Sequence, residues 1–338
     1  MSVPVHSPPL VTVNILTHNR RELLARSLRV MHEQLEYPTE RLEFIVVDNA
    51  SSDGTGEMLR SQFPDVRLIE NANNGAAGWT RGFEAGRGDY FLVLDDDCYL
   101  SGEALRHAVA AAEAQRAQLV SFRVLSSFDP GYEFSADYRV GLLSFWGSAA
   151  LIARAAVDEL GGFDPEIFIW GNELEFTIRL LDRGFRHLFL PEVSAVHAKP
   201  PMETPTVATY CTHTRHLAYI AAKLLRPGDA VLALVNLTAK SMLDVARFPP
   251  RWRALPALLS GIYSGLRRRD PVRRQVSRLY RQGFREFSSP WFYLRRPLAL
   301  WRSSRHRDGM AGYLRSRHED FYGARGELYP KHTASLKI

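Results

Sequence analysis

Three adjacent carboxylates, Asp95, Asp96 and Asp97, directly follow the apolar run YFLVL at residues 90–94. Carboxylates this close repel one another, and a cation that neutralises them removes that cost. Oxygen ligands of this kind suit Mg²⁺ or Mn²⁺, and both ions commonly bridge protein carboxylates to substrate phosphates. A solvated acidic turn that caps the following helix explains the same residues. On its own, the triplet therefore indicates either a divalent-metal site or an acidic turn.

A second polar segment, DNASSDGT at residues 48–55, follows the apolar run FIVV. Asp53 and Thr55 are typical of residues that cap a helix, and we interpret them in that way. Asp48 stands at the end of the apolar run, which makes it the better candidate for contact with a ligand. A third segment, NNGAAGWTRG at residues 73–82, is rich in small residues that allow a ligand or a backbone to approach closely. Its Arg81 either faces a phosphate or a base, or lies on the surface.

The order of elements predicts how these segments are positioned. Apolar runs alternate with helical spacing, and strands that are apolar throughout favour a mostly parallel α/β sheet covered on both faces. Ligands bind such sheets at the carboxyl ends of the strands, so the loops after residues 16, 47 and 94 form the candidate site. The predicted strands are residues 11–16, 44–47, 66–69 and 90–94, and the predicted helices are residues 20–32, 55–63, 78–86 and 103–117.

Four sequence motifs that follow one another along the chain resemble those of a known family: THNR at residues 17–20, VVDNASSDGT at 46–55, the glycine-rich segment at 73–82, and LDDD at 94–97. The series resembles the nucleotide-sugar half of family 2 glycosyltransferases, which have the GT-A fold, over roughly residues 10–200. The glycine-rich segment and the triplet are most similar to galactofuranosyl and rhamnosyl transferases. The resemblance implies that Thr17, Asp48 and Arg81 contact the base and its surroundings. It implies a nucleotide-sugar site made of Thr17, Asn19, Arg20, Asp48, Asn49, Arg81, Asp95 and Asp96, with Asp95 or Asp96 at the ribose, and a metal held by Asp95, Asp97 and His197.

His197 ends the apolar run at residues 193–197, where the family often places a metal-binding histidine. Imidazole is a good ligand for Mn²⁺. A lone histidine at a strand end is otherwise a surface residue, and only the register of the family motifs favours the ligand.

The second half of the resemblance covers GGFDPEIF at residues 161–168 and WGNELEF at 170–176. The family usually shows Glu-Asp or Asp-Asp where this chain has Asn172-Glu173, and the second residue of that pair is the catalytic base. Glu173 is therefore the candidate base, with Trp170 and Asn172 on the acceptor side. Glu175 is the alternative base, although two residues apart on a helix point to different sides. Glu173 could instead be a charge that the helix dipole favours.

The implied reaction is inverting transfer from a nucleoside-diphosphate sugar, a UDP- or dTDP-sugar, with Mn²⁺ or Mg²⁺ as cofactor. The acceptor is a glycan, a lipid-linked molecule or a small molecule. Processive members carry a Gln-x-x-Arg-Trp motif and membrane spans. Here Phe248 occupies the Gln position before Arg251-Trp252. We therefore expect a single addition, in the biosynthesis of a polysaccharide, a glycolipid or a glycosylated metabolite.

Charge is divided unevenly along the 338 residues, although the net charge is only +6. Residues 241–338 carry 21 Lys and Arg against 7 Asp and Glu, whereas residues 1–240 carry 22 against 30. We predict a GT-A catalytic domain at residues 1–205, with a nucleotide-sugar half at 10–120 and an acceptor half at 121–205. A helical, basic region at residues 206–338 follows a proline-rich connector.

The basic region contains arginines interleaved with aromatic residues, a pattern that favours contact with an anionic membrane surface. A solvated basic face and an interface between copies of the chain are the alternatives. No recognised motif supports nucleic-acid binding. With only two cysteines, no signal peptide and no apolar stretch of about 18 residues, we expect a cytoplasmic protein, in the membrane case peripheral at the cytoplasmic face.

Two other functions compete with glycosyl transfer. A nucleotidyltransferase also places a metal and a nucleotide at sheet ends, but it normally has a Gly- and Lys-rich phosphate loop, which residues 17–24 lack. A non-catalytic sugar-binding or scaffold protein that kept the fold is the other alternative, and Asn172 is the residue that favours it.

Overall fold

The computed structural model describes residues 7–129, 132–134, 144–200, 206–247, 249–287 and 290. The chain forms two compact units. The first comprises Met1–Gly131, Trp146–Pro165 and Arg186–Pro200, and the second comprises Tyr132–Phe145, Glu166–Phe185 and Pro201–Ile338. The predicted acceptor half, residues 121–205, thus contributes to both units.

The first unit is built on one sheet of eight strands in the order β3-β2-β1-β4-β7-β6-β8-β5. Four of its seven pairings are parallel and three are antiparallel, so the sheet is mixed with a slight parallel majority. The strands are β1 (Val11–Thr17), β2 (Leu42–Asn49), β3 (Arg67–Asn71), β4 (Tyr90–Asp95), β5 (Cys98–Tyr99), β6 (Leu119–Ser126), β7 (Ala149–Ala153) and β8 (His187–His197), and the helices are α1 (Arg21–Gln34), α2 (Thr55–Gln62), α3 (Trp79–Ala85), α4 (Ala104–Gln115) and α5 (Arg154–Leu160).

The centre of this sheet is buried on both faces. Successive side chains of a strand point to opposite faces of the sheet. In β1, both Val13 and its neighbour Asn14 are fully buried, so both faces are covered here. Helices that pack on both faces explain this burial, as the apolar strands predict. β8 is one continuous strand whose pairing with β6 shifts between Leu190 and Ser194. Pro191 lies in this irregular stretch, where the amide hydrogen that proline lacks is not needed for regular pairing.

The second unit is helical in the residues described. It contains α6 (Asn172–Asp182), α7 (Val207–Leu224), α8 (Pro227–Arg247), α9 (Ala254–Arg267) and α10 (Arg274–Phe287). The side chain of Thr206 caps α7 by accepting a hydrogen bond from the amide of Thr209. A continuous apolar core joins α6 to the four later helices, with Ile178, Tyr219, Leu237, Leu258 and Phe284 among its members. The prediction of helices after residue 206 therefore holds up to residue 287, and its remainder, residues 291–338, lies outside the described residues.

The basic helix α10 buries its apolar side in this core. Val276, Tyr280 and Phe284 are buried, whereas Arg274 and Arg278 on the other side are exposed. The apolar face of α10 is therefore already occupied by protein. Within the described part of the chain, no helix combines the length and the apolar character needed to cross a bilayer.

Candidate active site

The acidic triplet forms the turn between β4 and β5 in the first unit. The short strand β5 pairs with the end of β8, and this pairing sets Cys98 opposite His197. The backbone oxygen of Asp97 also accepts a hydrogen bond from the amide of Ala198, at 2.7 Å. As a result, Nε2 of His197 lies 2.9 Å from Oδ1 of Asp97, although a hundred residues separate them in the sequence.

Asp95, Asp97 and His197 offer one ligand atom each, and these atoms lie within 4.8 Å of one another. Asp97 and His197 are buried, and Asp95 is half-buried. Burial and the charge of Asp97 raise the pKa of Asp95. Two close carboxylates and an imidazole in such surroundings fit a divalent cation that accepts both oxygen and nitrogen ligands. The structure thus brings together the three residues that the resemblance implied as metal ligands.

Arg20 and Thr17 bond to the carboxylates of Asp96 and Asp97. Nη1 of Arg20 donates to Oδ2 of Asp97 at 2.7 Å and to Oδ1 of Asp96 at 3.2 Å. Oγ1 of Thr17 donates to Oδ2 of Asp96 at 2.8 Å. Arg20 is half-exposed, so its guanidinium reaches these buried carboxylates from the solvent side. Both Thr17 and Arg20 come from the carboxyl end of β1, where the strand order predicts a ligand site.

The three carboxylates have different electrostatic surroundings. Burial raises the pKa of Asp96 to about 6, although the charge of Arg20 and the hydrogen bond from Thr17 act in the opposite direction. Burial would also raise the pKa of Asp97. There, the hydrogen bond from His197 and the positive charges of His197, Arg20 and Lys199 outweigh burial, and the pKa of Asp97 is lowered. Asp97 is therefore the carboxylate of the triplet that its surroundings hold most firmly in the charged form.

The loops that follow β1 and β2 are hydrogen-bonded to each other. The amide of Asn19 donates to Oγ of Ser51 at 2.8 Å, and its side-chain oxygen accepts from the amide of Ser52 at 2.7 Å. Asn19 has a φ of +52°, a conformation that asparagine tolerates better than most residues. Asp48 is buried, and its carboxylate accepts from the amide of Ser51 at 2.9 Å. The parallel register places Thr17 beside Asp48.

Asn49 extends this network to the loop that follows β3. It is buried, accepts from Nδ2 of Asn71 at 2.8 Å and donates to the backbone oxygen of Gly75 at 3.0 Å. Asp53 accepts from the amide of Arg21, the first residue of α1, so it caps α1 as well as bonding to Thr55. Six of the residues implied to bind the nucleotide sugar are thus clustered at the carboxyl ends of adjacent strands: Thr17, Asn19, Arg20, Asp48, Asn49 and Asp96.

Arg81 has a different environment. It lies on α3, and its guanidinium donates to Glu84 one turn further along the helix, at 2.6 Å. Arg20, rather than Arg81, is the arginine that contacts the triplet. The small residues around Arg81 serve the approach of α3 to the sheet: a Cβ atom on Gly78 would lie 2.5 Å from Cδ1 of Leu16, and one on Gly82 would collide with the side chain of Asn14.

Two residues that support the site were not identified from the sequence. Trp79 is buried, and its indole nitrogen donates to the backbone oxygen of Leu94 at 3.2 Å, directly before the triplet. Asn14 in turn donates to the backbone oxygen of Trp79 at 2.9 Å. An asparagine in the middle of β1, whose other residues are apolar or threonine, is a signal that could have pointed to Asn14. These contacts position the end of β4.

In the second unit, the turn before α6 has an unusual backbone. Trp170 has a φ of +59° and Gly171 a φ of +114°. Nδ1 of His216 lies 2.8 Å from the backbone oxygen of Ile169 and 3.0 Å from that of Trp170, so the imidazole supports this turn. His216 is buried, which lowers its pKa despite those two backbone bonds. A non-glycine residue in this conformation is strained, and such strain concentrates at functional sites.

The two candidate bases on α6 differ in burial. Glu173 is half-buried, and its carboxylate accepts from the amide of Gly171 at 3.2 Å, a contact at the helix N-terminus. Glu175 is fully buried, and both of its oxygens accept from Nε of Arg179 at 2.9 Å. Nζ of Lys223 donates to the same carboxylate at 2.8 Å. The surroundings of Glu175 are those of a structural ion pair. Asn172 is buried beside these residues.

Comparison with known proteins shows what part of the chain is similar to a known family. Residues 12–166 match the model of glycosyl transferase family 2. Glycosyltransferase AglE of Haloferax volcanii is 28% identical over 209 residues, which cover 57% of this chain and 68% of AglE. N-acetylglucosaminyl-diphospho-decaprenol L-rhamnosyltransferase of Mycobacterium tuberculosis is 24% identical over 215 residues, 49% of this chain and 69% of that protein. The chain spans from about a third to about two-thirds of the length of curated relatives that it matches.

The structural comparison agrees. The mannosyltransferase PcManGT from Pyrobaculum calidifontis, determined in complex with GDP-Man and Mn²⁺, superimposes with a TM-score of 0.53 at 21% identity, covering 94% of this chain and 88% of PcManGT. At this identity the likeness shows the fold. The expected relation to rhamnosyl transferases is supported by the mycobacterial relative, and the galactofuranosyl relation stays a prediction. Residues 12–166 therefore form a domain that matches glycosyl transferase family 2, and the fold is that of the GT-A glycosyltransferases.

Proposed function

We propose that this glycosyltransferase moves one sugar per turnover from a nucleoside-diphosphate sugar to an acceptor hydroxyl, with inversion at the anomeric carbon. The observation that carries the proposal is the cluster of Asp95, Asp97 and His197 at the carboxyl end of β4. The cluster adjoins Thr17 and Arg20, which contact the triplet directly.

The nucleotide of the donor would bind along the carboxyl ends of β1, β2 and β4. Asp48 and Asn49 would face the base, and Asp96 would hold the ribose. Arg20 carries a positive charge beside the triplet, which suits the diphosphate of the donor. The proposed role of Arg81 in base binding rests on the resemblance alone, because its guanidinium bonds to Glu84.

A divalent cation, Mn²⁺ or Mg²⁺, held by Asp95, Asp97 and His197 would supply Lewis-acid stabilisation of the charge on the departing nucleoside diphosphate. The mixed oxygen and nitrogen donors favour Mn²⁺ of the two. The Mn²⁺ in the PcManGT complex, a protein of the same fold, supports this choice.

Glu173 is the proposed general base. Its carboxylate would accept the proton of the acceptor hydroxyl while the hydroxyl oxygen attacks the anomeric carbon and the bond to the diphosphate breaks. This single displacement inverts the anomeric centre and needs no covalent enzyme intermediate. The burial of Glu175 between Arg179 and Lys223 supports Glu173 over its neighbour. Trp170 and Asn172 are proposed on the acceptor side.

For the acceptor we propose a lipid-linked molecule before a free glycan or a small molecule. The name of the mycobacterial rhamnosyltransferase describes a diphospho-decaprenol acceptor. Two other relatives also have lipids in their names: an undecaprenyl-phosphate 4-deoxy-4-formamido-L-arabinose transferase and a beta-monoglucosyldiacylglycerol synthase. The donor nucleotide is proposed as UDP or dTDP, and GDP is included in the test because PcManGT binds GDP-Man. Glycolipid or polysaccharide biosynthesis at the cytoplasmic face of a membrane is the corresponding setting.

The test has two parts. Hydrolysis of UDP-, dTDP- and GDP-sugars with Mn²⁺ or Mg²⁺ should release the nucleoside diphosphate slowly from one donor class. Calorimetry with that diphosphate should show tight binding with Mn²⁺ and weak binding in EDTA. Asp97→Asn should abolish the Mn²⁺ effect, whereas Asp65→Asn, a matched change at an exposed carboxylate that bonds to His32, should leave it intact.

The outcomes separate the parts of the proposal. Equal affinity for the diphosphate with Mn²⁺ and with EDTA would refute the metal role. Metal-dependent binding without release from any donor would refute the proposed donor classes.

A further inference from the structure

The helix α9 packs Gly261, Gly265 and Leu258 inward and also carries a row of large apolar residues on its outer side. Gly261 and Gly265 face α7 so closely that a Cβ atom on Gly265 would lie 2.5 Å from the backbone oxygen of Tyr219, and one on Gly261 would collide with the backbone of Arg215. On the opposite side, Leu259, Tyr263 and Leu266 are 65%, 62% and 54% exposed.

This arrangement departs from that of a surface helix, whose outer face is polar. Leu259, Tyr263 and Leu266 are spaced by four and three residues, so they lie on one face of the helix. In a protein that meets only water, a face of this kind is turned toward the core. Single exposed apolar residues need no explanation, but a whole helical face of large ones marks an interaction surface. Trp252, in the turn before α9, is also exposed. We call Trp252, Leu259, Tyr263 and Leu266 the α9 surface.

A second exposed apolar row on α8 belongs to the same unit. Val231, Val235 and Met242 are spaced by four and seven residues and therefore share one face of α8, and all three are exposed. The helical unit thus presents two apolar rows to its surroundings, whereas α10 presents arginines.

Charge indicates what the α9 surface contacts. Residues 245–269 contain six arginines and no Asp, Glu or Lys. Three of them, Arg253, Arg267 and Arg268, are exposed at the two ends of α9, and the apolar face lies between them. Arg267 also lies over the ring of Tyr263, 5.7 Å from its centre. Arginines that bracket an apolar face containing Trp and Tyr are typical of a helix that lies in the interface of an anionic bilayer.

We propose that the α9 surface docks the protein on an anionic lipid bilayer. Leu259, Tyr263 and Leu266 enter the boundary between headgroups and acyl chains, and Arg253 and Arg267 contact lipid phosphates. The inference stands independently of the proposed chemistry, because it uses no residue of the candidate active site. It also differs from the expectation that the whole basic region, residues 206–338, contacts an anionic membrane. The contact is assigned to α9, and the apolar face of α10 is excluded because it is buried.

Vesicle flotation with the full-length chain tests the proposal. One set of vesicles contains only phosphatidylcholine, and the other contains phosphatidylcholine with a third phosphatidylglycerol. The wild-type chain should float with the anionic vesicles, and less so at high salt, because exposed charges are screened within about 8 Å at physiological ionic strength. The double variant Leu259→Glu/Leu266→Glu should lose about tenfold or more in bound fraction, since interfacial binding scales with the apolar area buried.

The matched control is Gln275→Glu/Gln282→Glu, which makes the same change in net charge at exposed positions of α10. If the control loses as much binding as the α9 variant, general charge attraction explains the result and the proposal is wrong. Sedimentation without vesicles checks for a second copy: a wild-type dimer that the α9 variant dissociates would reassign the surface to self-association. A monomeric wild-type chain that floats with neither kind of vesicle overturns the proposal. Circular dichroism checks that both variants are folded.

Discussion

Replacing Glu175 with Gln separates a structural carboxylate from a catalytic one. Glu175 is fully buried and receives hydrogen bonds from Arg179 and Lys223, whose side chains are themselves mostly buried. Glu175→Gln would leave two cations facing a neutral amide. Removing one partner of a buried ion pair costs about 3–5 kcal/mol. Because Gln keeps one oxygen that can accept a hydrogen bond, we expect a loss of about 3 kcal/mol, at the lower end of that range.

We expect Glu175→Gln to destabilise mainly the helices that hold the ion pair, α6 and α7. Hydrogen exchange of α6 and α7 amides should accelerate by about a hundredfold, since each 1.4 kcal/mol corresponds to about a factor of ten. At temperatures where the variant stays folded, kcat should change by no more than about threefold. Exchange is a better measurement than a single unfolding midpoint here, because a chain with two compact units need not unfold in one step.

Glu173→Gln is the matched variant two residues away. The amide oxygen of Gln can still accept from the amide of Gly171, so exchange in α6 should stay the same. We expect kcat to fall by about a hundredfold or more, the usual scale for loss of a general base, with little change in donor affinity. If Glu175→Gln loses kcat while α6 protection is intact, and Glu173→Gln stays active, the base is Glu175 and our reasoning from burial is wrong.

Two further changes test the surroundings of the triplet. Arg20 competes with a cation for the carboxylate of Asp97, so Arg20→Gln should tighten the binding of Mn²⁺ alone by about fivefold in calorimetry, since a half-exposed charge contact is worth about 1 kcal/mol. Arg81→Gln is the control, because Arg81 bonds to Glu84, and it should have no effect. Equal effects of the two changes would contradict the assigned role of Arg20. Trp79→Phe keeps an aromatic ring but removes the donor to the Leu94 carbonyl, and hydrogen exchange of the β4 amides should accelerate by about fivefold or more, for a loss of about 1 kcal/mol. Unchanged exchange in β4 would mean that this hydrogen bond does not hold the end of the strand.

Much of the first unit could be predicted from the sequence, because its strands are apolar throughout and its helices have regular spacing. The predicted strands at residues 11–16 and 90–94 match β1 and β4 to within one residue at their ends. β7 is different: it lies between β4 and β6 and is antiparallel to both. An apolar run such as AALIA carries no information about strand direction, which the path of the chain determines.

The candidate site was predictable where strand ends carry polar residues. Thr17, Asp48 and the triplet follow apolar runs, and the structure sets them on adjacent strands. The contacts of Arg81 and the burial of Glu175 could not be predicted, since both depend on which face of a helix meets the rest of the fold. Trp79 was overlooked for a related reason: a tryptophan among glycines gives no indication of the carbonyl that it will reach.

The close packing of α3 on β1 has a practical consequence for mutational scans of this enzyme. Only glycine fits at position 82, because the side chain of Asn14 occupies the space where a Cβ atom would lie. Asn14 in turn bonds to the backbone of Trp79, and Trp79 bonds to the end of the strand that precedes the carboxylates. Any side chain at position 82 would displace Asn14, and the shift would reach Trp79 and then the end of β4. In a screen that measures product formation alone, substitutions of Gly82 would reduce the signal as much as substitutions of residues that contact the substrate. Scoring the same library for abundance as well as turnover would separate the two groups.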